Sequence, residues 1–504
     1  MSGESCDAIG RAKAAPFSHR ARPANPDALP QVDDPAAIVR NQGSFRDPAG
    51  YVAHYKDRVF RIILREDASS AFERLKSSGL LAELIAKQWL VPTELSAEPA
   101  LRALSPHVLE HQRLNFISYP YEWPFELLKR AALFHLDLHL GALESGFTLA
   151  DATAYNVQFV GTKPIFIDPL SLVPYREGDF WFGQRQFSEQ FLNPLLLTSL
   201  LKIPFNAWYR GAMEGISSED LAQALHPRHK LSWRIWLEVL APVRLHRSAQ
   251  ANPAKVTAAA NRKLPLKGLQ FMLRNLRSWI AGMRDPFAAR TTTWSAYEVE
   301  NSYLPEEERR KQAFVSDFIA RSRPRVVWDL GCNTGLYSET ALRAGAGEVV
   351  GFDSDHGALS QAVRRSVRSD LKFLPLQMDA CNPSPNQGWH QSERAGLSGR
   401  SRPNATLALA FGHHIAIGRN VPLPMFLDWL VGMADCGVVE FVPKNDPALQ
   451  RMLSIRKDNF DQYSQAEFER ELAKRAAIEK TEMVSSSGRM LYVYAGGRSR
   501  AQVS

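Results

Sequence analysis

The chain has 504 residues, of which 45% are hydrophobic and 23% charged, with a formal net charge of +8. That length exceeds what one ordinary core fills, and the composition excludes a disordered or fibrous protein, so two or more globular domains are expected. The basic excess carries no dense Lys/Arg block and no RNA-binding aromatic motif, which favours a general anionic bias over a dedicated nucleic-acid interface and leaves no specific nucleic acid among the expected partners.

In chain order, residues 1–45 are rich in Ala, Pro, Asp and Ser without hydrophobic periodicity, and are expected to be a disordered tail with no signal-peptide core. Order begins near Tyr51 and opens an α+β domain over 46–243. Residues 59–65 read as a strand, 71–90 as a helix broken at Gly79, and 115–120 as a strand ended by proline. A long amphipathic helix is expected at 124–143, closed by Gly146, then strands at 156–160 and 164–167 joined through Gly161. Residues 180–240 are mostly helical and rich in aromatics.

Within this half, Asp151, four residues, Asn156, a hairpin and then Asp168 follow the order of a protein-kinase-like catalytic loop. In such loops the first Asp orients a hydroxyl, and the Asn and second Asp hold magnesium. Three features depart from that pattern. No Gly-rich phosphate loop precedes the segment, Leu149 and Ala150 replace the His-Arg, and Pro-Leu-Ser follows Asp168. The expectation is therefore a degenerate kinase-like fold or a binding module, with phosphotransferase activity as an alternative.

Residues 244–290 form a basic connecting segment with one helix at 266–283. From 291 to 504 strands and helices alternate, the signature of a mostly parallel, Rossmann-like α/β sheet. No run anywhere is long and apolar enough to span a bilayer. The cysteines, Cys6, Cys332, Cys381 and Cys436, are scattered without a CxxC pair, as expected of a cytoplasmic protein without a zinc ribbon.

The chemistry concentrates at 325–338, where an apolar strand runs into Asp329, a Gly-rich turn follows (Gly331, Asn333, Gly335), and a helix begins near Leu336. Glycine permits close approach to a ligand, and Asn is among the few residues that tolerate a left-handed conformation. A second strand ends at Asp353 and a third at Asp379. Three carboxylates ending successive strands share one sheet edge, where ligands bind in such folds. A strand-terminal Asp is otherwise a turn former or helix cap. An NAD site is the competing reading, disfavoured because DLGCNTG departs from GxGxxG and no hydride-transfer partner is evident.

This loop resembles motif I of class I S-adenosylmethionine-dependent methyltransferases. More widely, the segment after residue 290 resembles the rhizobial host-specificity nodulation methyltransferases. The shared residues include Trp294, Tyr297, Tyr303, Lys311, the DLGCNTG loop, Trp389, Glu393, Arg394, His413, His414, Glu440, Asp446 and Arg456. Asn404 stands where relatives tend to carry Asp.

The resemblance implies S-adenosyl-L-methionine as cofactor. Asp329 would contact its amino-acid portion, Asp353 the ribose hydroxyls and Asp379 the adenine amine, with Gly331, Asn333, Gly335 and Lys311 completing the cofactor set. His413, His414 and Glu440 are the catalytic candidates, since a near-neutral His can remove a proton from an alcohol acceptor. A His that only hydrogen-bonds the loop is the competing reading. The ligand spacing does not suit a metal, and none is expected. The resemblance suggests a small-molecule or glycan acceptor, such as a hydroxyl of a saccharide or lipid-linked metabolite. A non-catalytic cofactor-binding scaffold is the alternative.

Overall fold

In the computed structural model the described residues are 38–251, 264–288, 304–454 and 459–496. The expected tail up to residue 37, and Trp294, Tyr297, Tyr303 and Arg456, lie outside them.

The N-terminal half begins with strands β1 (Val39–Arg40), β2 (Gly50–Tyr55), β3 (Arg58–Ile63), β4 (Thr93–Leu95) and β5 (Val108–His111). They pair antiparallel in the order β1-β2-β3-β5-β4. Lys56 and Asp57, at φ +48° and +62°, make the two-residue turn between β2 and β3. Two left-handed residues match the twist of a tight hairpin. The helix Glu66–Ser77 follows β3 and buries Phe72 and Leu75.

The expected long helix is present as Phe125–Glu144, with an almost continuous buried face. Beyond it, β6 (Phe147–Leu149) pairs with β9 (Leu172–Pro174). The expected hairpin is β7 (Val157–Val160) and β8 (Lys163–Phe166). The helix Leu266–Ala281 buries Leu269, Leu273, Leu276 and Ile280, and packs on Phe125–Glu144. There Arg277 donates to both oxygens of Asp137, the longer bond being 2.9 Å.

Residues 115–120, expected as a strand, are irregular. Their backbone groups find a side chain instead of a neighbouring strand: Ser118 N donates to Gln158 Oε1 at 2.9 Å, and Gln158 Nε2 donates to Ser118 O at 3.0 Å. A buried amide supplies the donor and acceptor that a ladder would supply. The neighbouring strand is the earlier segment, Val108–His111.

The C-terminal half is built on β10 (Val326–Leu330), β11 (Glu348–Asp353), β12 (Phe373–Gln377), β13 (Ala405–Ala408), β14 (Cys436–Phe441), β15 (Ala477–Met483) and β16 (Met490–Ala495). The order is β12-β11-β10-β13-β14-β16-β15, with β10 to β14 parallel and β16 antiparallel to both neighbours. β10 is buried along its whole length, as a strand covered on both faces must be. The antiparallel β16 inserted beside β14 separates this sheet from the six-stranded dinucleotide-binding arrangement. The result is the α/β sheet of the class I methyltransferase fold. Asn404, the departure noted above, sets register: its side chain accepts from Val326 N at 2.9 Å.

The halves share buried contacts. The Phe116 ring lies 5.9 Å from Trp328 and 6.0 Å from Phe352 in edge geometry. Glu122 receives Arg400 through two hydrogen bonds of 2.7 and 2.5 Å and Ser384 Oγ at 2.5 Å, all buried. Among the described residues no helix is long and apolar enough to cross a membrane.

Candidate active site

The loop after β10 is shaped by three positive φ values: Gly331 at +76°, Asn333 at +49° and Gly335 at +85°. A Cβ on Gly331 would stand 2.8 Å from the Phe411 ring, so the position has no room for a side chain as well as a left-handed backbone. Gly331 N and Cys332 N both donate to Phe352 O, at 2.8 and 3.0 Å, which folds the loop over the end of β11.

Asp353 closes β11 and anchors this loop. Its Oδ2 accepts from Asn333 N at 2.8 Å and its Oδ1 from Asp355 N at 2.9 Å. A carboxylate has about four lone-pair positions, so each oxygen retains acceptor capacity. Burial pushes its pKa upward against these backbone donors. Asp329, also buried, accepts from Ser338 Oγ at 2.6 Å. Burial raises its pKa to about 6, with the Asp353 charge adding and Ser338 and Lys311 opposing. Asp379, expected to end the third strand, lies half-buried in the turn two residues past β12, where Arg419 meets its Oδ2 at 2.8 Å and Cys381 N its Oδ1 at 3.0 Å.

Lys311 comes from the helix Pro305–Ser322 and is buried against the end of β14. Its Nζ stands 2.7 Å from Glu440 Oε2 and 4.7 Å from the Tyr337 ring centroid. Burial lowers the amine's pKa, and Glu440 works against that. Arg489 completes the network. It donates through Nε and Nη2 to the two oxygens of Asp446 at 2.7 and 2.9 Å, and its Nη1 is 3.6 Å from Glu440 Oε1. Arg489 and Asp446 are 0% exposed and Glu440 1%. Two cations therefore face two carboxylates out of contact with water, where an unpaired charge is very costly.

Glu440 Oε2 also accepts from Ala410 N at 2.7 Å. Ala410 has φ +48°, an unusual conformation for a residue with a Cβ, and is separated by Phe411 alone from the helix Gly412–Ala416 that carries both histidines. Glycine at 410 relieves this strain, and Ala410→Gly is expected to raise stability by about 0.5–1 kcal/mol after its extra unfolded-state entropy is subtracted. A thermal melt checks the sign; an unchanged or lowered midpoint contradicts the strained geometry.

His413 is 1% exposed and neither ring nitrogen has a hydrogen-bond partner among the described residues. Its ring centroid is 4.0 Å from that of His414. Burial, then His414, Arg489 and Lys311, hold the His413 pKa well below the usual value. Burial and Arg489 lower His414 to about 4. Neither imidazole therefore has the near-neutral pKa that the sequence reading expects of a proton acceptor, because burial disfavours the charged form.

The structure thus joins Lys311 to Glu440, ties Glu440 to Ala410 just ahead of the paired histidines, sets Phe411 against Gly331, and places Asp329 and Asp353 at the ends of the two strands that carry the glycine loop. Arg489 is the residue that sequence reading passes over. Its one signal is position: a lone cation between Ser-Ser-Ser-Gly at 485–488 and an unbroken apolar run at 490–495. The loop of Trp389, Glu393 and Arg394 reaches the N-terminal half. Glu393 binds Arg46 Nε at 2.8 Å, and Arg394 Cζ lies 4.3 Å over the Tyr155 ring.

In the N-terminal half, Asp151 accepts from Thr153 N at 3.0 Å and from Asn156 Nδ2 at 3.3 Å. Asp168 accepts from Leu170 N at 3.2 Å and Ser171 Oγ at 2.7 Å, capping the short helix after it. Among the described residues no group of three or more His, Cys, Asp or Glu could hold a metal ion.

One comparison decides the family. The nodulation protein NoeA of Rhizobium meliloti (strain 1021) is 43% identical over 461 residues, spanning 90% of this chain and 96% of that protein. The chain belongs to the NoeA family. No protein-family model matches it. Similar solved structures include the N-methyltransferase NodS of Bradyrhizobium japonicum WM9 in complex with S-adenosyl-L-homocysteine. It is 12% identical, covers 42% of this chain and 95% of NodS, and has a TM-score of 0.30. The magnesium protoporphyrin IX methyltransferase of Synechocystis PCC 6803 with bound SAM is 18% identical, covering 42% of this chain and 95% of its own, with a TM-score of 0.28. The NoeA match spans both halves of the chain, whereas these two structures each cover less than half of it.

Proposed function

We propose that this NoeA-family chain is an S-adenosylmethionine-dependent methyltransferase acting on a small-molecule or glycan acceptor. The observation that carries this reading is Asp353, a strand-terminal carboxylate that holds the glycine loop through Asn333 N and its own turn through Asp355 N while each oxygen keeps further acceptor capacity. Such a carboxylate suits a ribose diol, and the left-handed loop beside it brings the backbone close to a ligand.

The cofactor supplies an electrophilic methyl group. The chain's residues bind, orient and exclude water: Asp353 takes the ribose, Asp329 the ammonium of the amino-acid portion, and Asp379 the adenine edge. Lys311 and Glu440 act as positioning residues that fix the end of β13 through Ala410 N. His413 and His414 are neutral and adjacent; with their pKa lowered by burial they are weak bases, better suited to orienting an acceptor hydroxyl than to removing its proton unaided. A saccharide or lipid-linked hydroxyl is the acceptor class we favour, from the family name alone.

Calorimetric titration of the full chain with S-adenosylmethionine and S-adenosylhomocysteine tests the site, and absence of binding by both sinks it. Label transfer from the cofactor to an acceptor, lost in His413→Gln and His414→Gln, separates enzyme from binding scaffold.

The Asp329 carboxyl gives a pH prediction. Its folded pKa of about 6 lies above the unfolded value of about 3.9. Its contribution to stability is therefore fully present below about pH 4 and is lost as pH rises through 6. Cofactor binding runs the other way, because an ammonium group selects the ionised form. Affinity is expected to rise between pH 5 and 7 with proton release, measured by calorimetry in buffers of different ionisation enthalpy. A flat profile contradicts the assigned role.

For the N-terminal half we propose a degenerate kinase-like module that serves recognition. The observation favouring it is that Asp151 and Asp168, on either side of the β7–β8 hairpin, are engaged by their own loops. ATP–magnesium binding sensitive to Asp168→Ala would instead support phosphotransfer.

A further inference from the structure

The helical run of Trp233–Ile235, Trp236–Leu240 and Ala241–Ala251 has an ordinary inner side. Ile235, Val239 and Val243, spaced by four, are buried. Such a helix normally turns polar residues outward. Here Trp233 is 65% exposed, Trp236 and Leu237 47%, and Leu245 70%, while Leu231 just before the run is 87% exposed.

Charge along this run is mostly positive, although the helix Ser218–Ala224 packed against it carries Glu219 and Asp220. Residues 226–247 contain Arg228, Lys230, Arg234, Arg244 and Arg247 against a single carboxylate, Glu238. Glu238 is half-buried and its pKa is raised by burial. Arg234 lies over the rings of Trp233 and Trp279 at 5.6 and 5.9 Å, tying the run to the helix Leu266–Ala281. Exposed indoles and leucines among cations, almost without acids, are the composition of an interfacial segment. The rings sit at headgroup level, the leucines enter the acyl boundary, and the cations meet lipid phosphates.

We propose that this face docks on an anionic bilayer surface as a peripheral contact. Charge complementarity selects this occupant: a surface dense in phosphate matches five cations and one half-buried carboxylate, whereas a second copy of the chain would set cation against cation. The proposal is independent of methyl transfer, since vesicle association is read without turnover.

The test is flotation of the full chain with vesicles of phosphatidylcholine alone and with vesicles containing phosphatidylglycerol. Association with the anionic vesicles at low salt, weakened at high salt, is expected. Each basic residue near the surface contributes about five-fold, so Arg244→Glu with Arg247→Glu should reduce partitioning by roughly 25-fold or more. Trp233→Ala with Trp236→Ala should reduce it at least about ten-fold. All four side chains are exposed, and circular-dichroism melts verify that both variants fold. Absence of flotation, equal flotation with both vesicle types, or flotation unchanged in either variant overturns the proposal. So does a dimer that Trp233→Ala with Trp236→Ala dissolves while the wild type ignores vesicles, since that assigns the face to a second copy.

Discussion

Replacing Arg489 by methionine is expected to lower the unfolding free energy by about 3–5 kcal/mol, read as a fall in the denaturant midpoint at unchanged slope. Methionine fills much of the volume but leaves Asp446 and Glu440 buried with Lys311 as their remaining cation. The penalty comes from the uncompensated carboxylate more than from the lost contact. Burial alone would raise the Asp446 pKa, but the Arg489 guanidinium and the Ser487 hydroxyl hold it below the usual range. A depressed folded pKa contributes stability that is present above about pH 4 and lost as pH falls through the folded value. The gap between wild type and variant should therefore be widest near neutrality and shrink in acid, where Asp446 takes up a proton. Arg489→Lys keeps the charge but loses the two-pronged geometry, and should fall between them. A loss below about 1 kcal/mol for the methionine variant at pH 7 contradicts a fully buried pair.

The second large effect is at Asp353. Asp353→Ala should weaken S-adenosylmethionine binding at least about 100-fold, because hydrogen bonds to a charged acceptor contribute roughly 1.5–3 kcal/mol each and the proposed ribose contact makes two. The same change removes the acceptor for Asn333 N and Asp355 N, so the loop loosens as well. Asp353→Asn keeps one acceptor oxygen and should bind with intermediate affinity. Melting curves distinguish a lost cofactor site from a lost fold. Unchanged affinity in a folded alanine variant removes the ribose assignment.

Much of the C-terminal half is legible because parallel, doubly covered strands are written as apolar runs. The strands ending at Leu330, Asp353 and Gln377 stand out for that reason, and the acids at their ends are local signals. The N-terminal sheet is harder. Thr93–Leu95 and Val108–His111 have three and four residues, too few to show a period. Residues 115–120 have strand-like composition but bond to the Gln158 amide from 40 positions away. Arg489 fails for the same reason, since its partner Asp446 lies 43 residues earlier. Periodicity and turn chemistry report on neighbours in sequence, and these contacts are between strangers in sequence.

The Glu122–Arg400 pair bears on the order in which the chain can fold as it is made. Its members are 278 residues apart. At about 5–20 residues per second, the carboxylate leaves the ribosome roughly 15–55 s before its counter-charge. Through that interval the N-terminal half cannot close over Glu122 without burying a lone charge. Glu122 is therefore expected to stay hydrated on the face of the first half until Ser384 and Arg400 are translated, and a ribosome stalled before residue 400 should carry a chain whose seam is still wet.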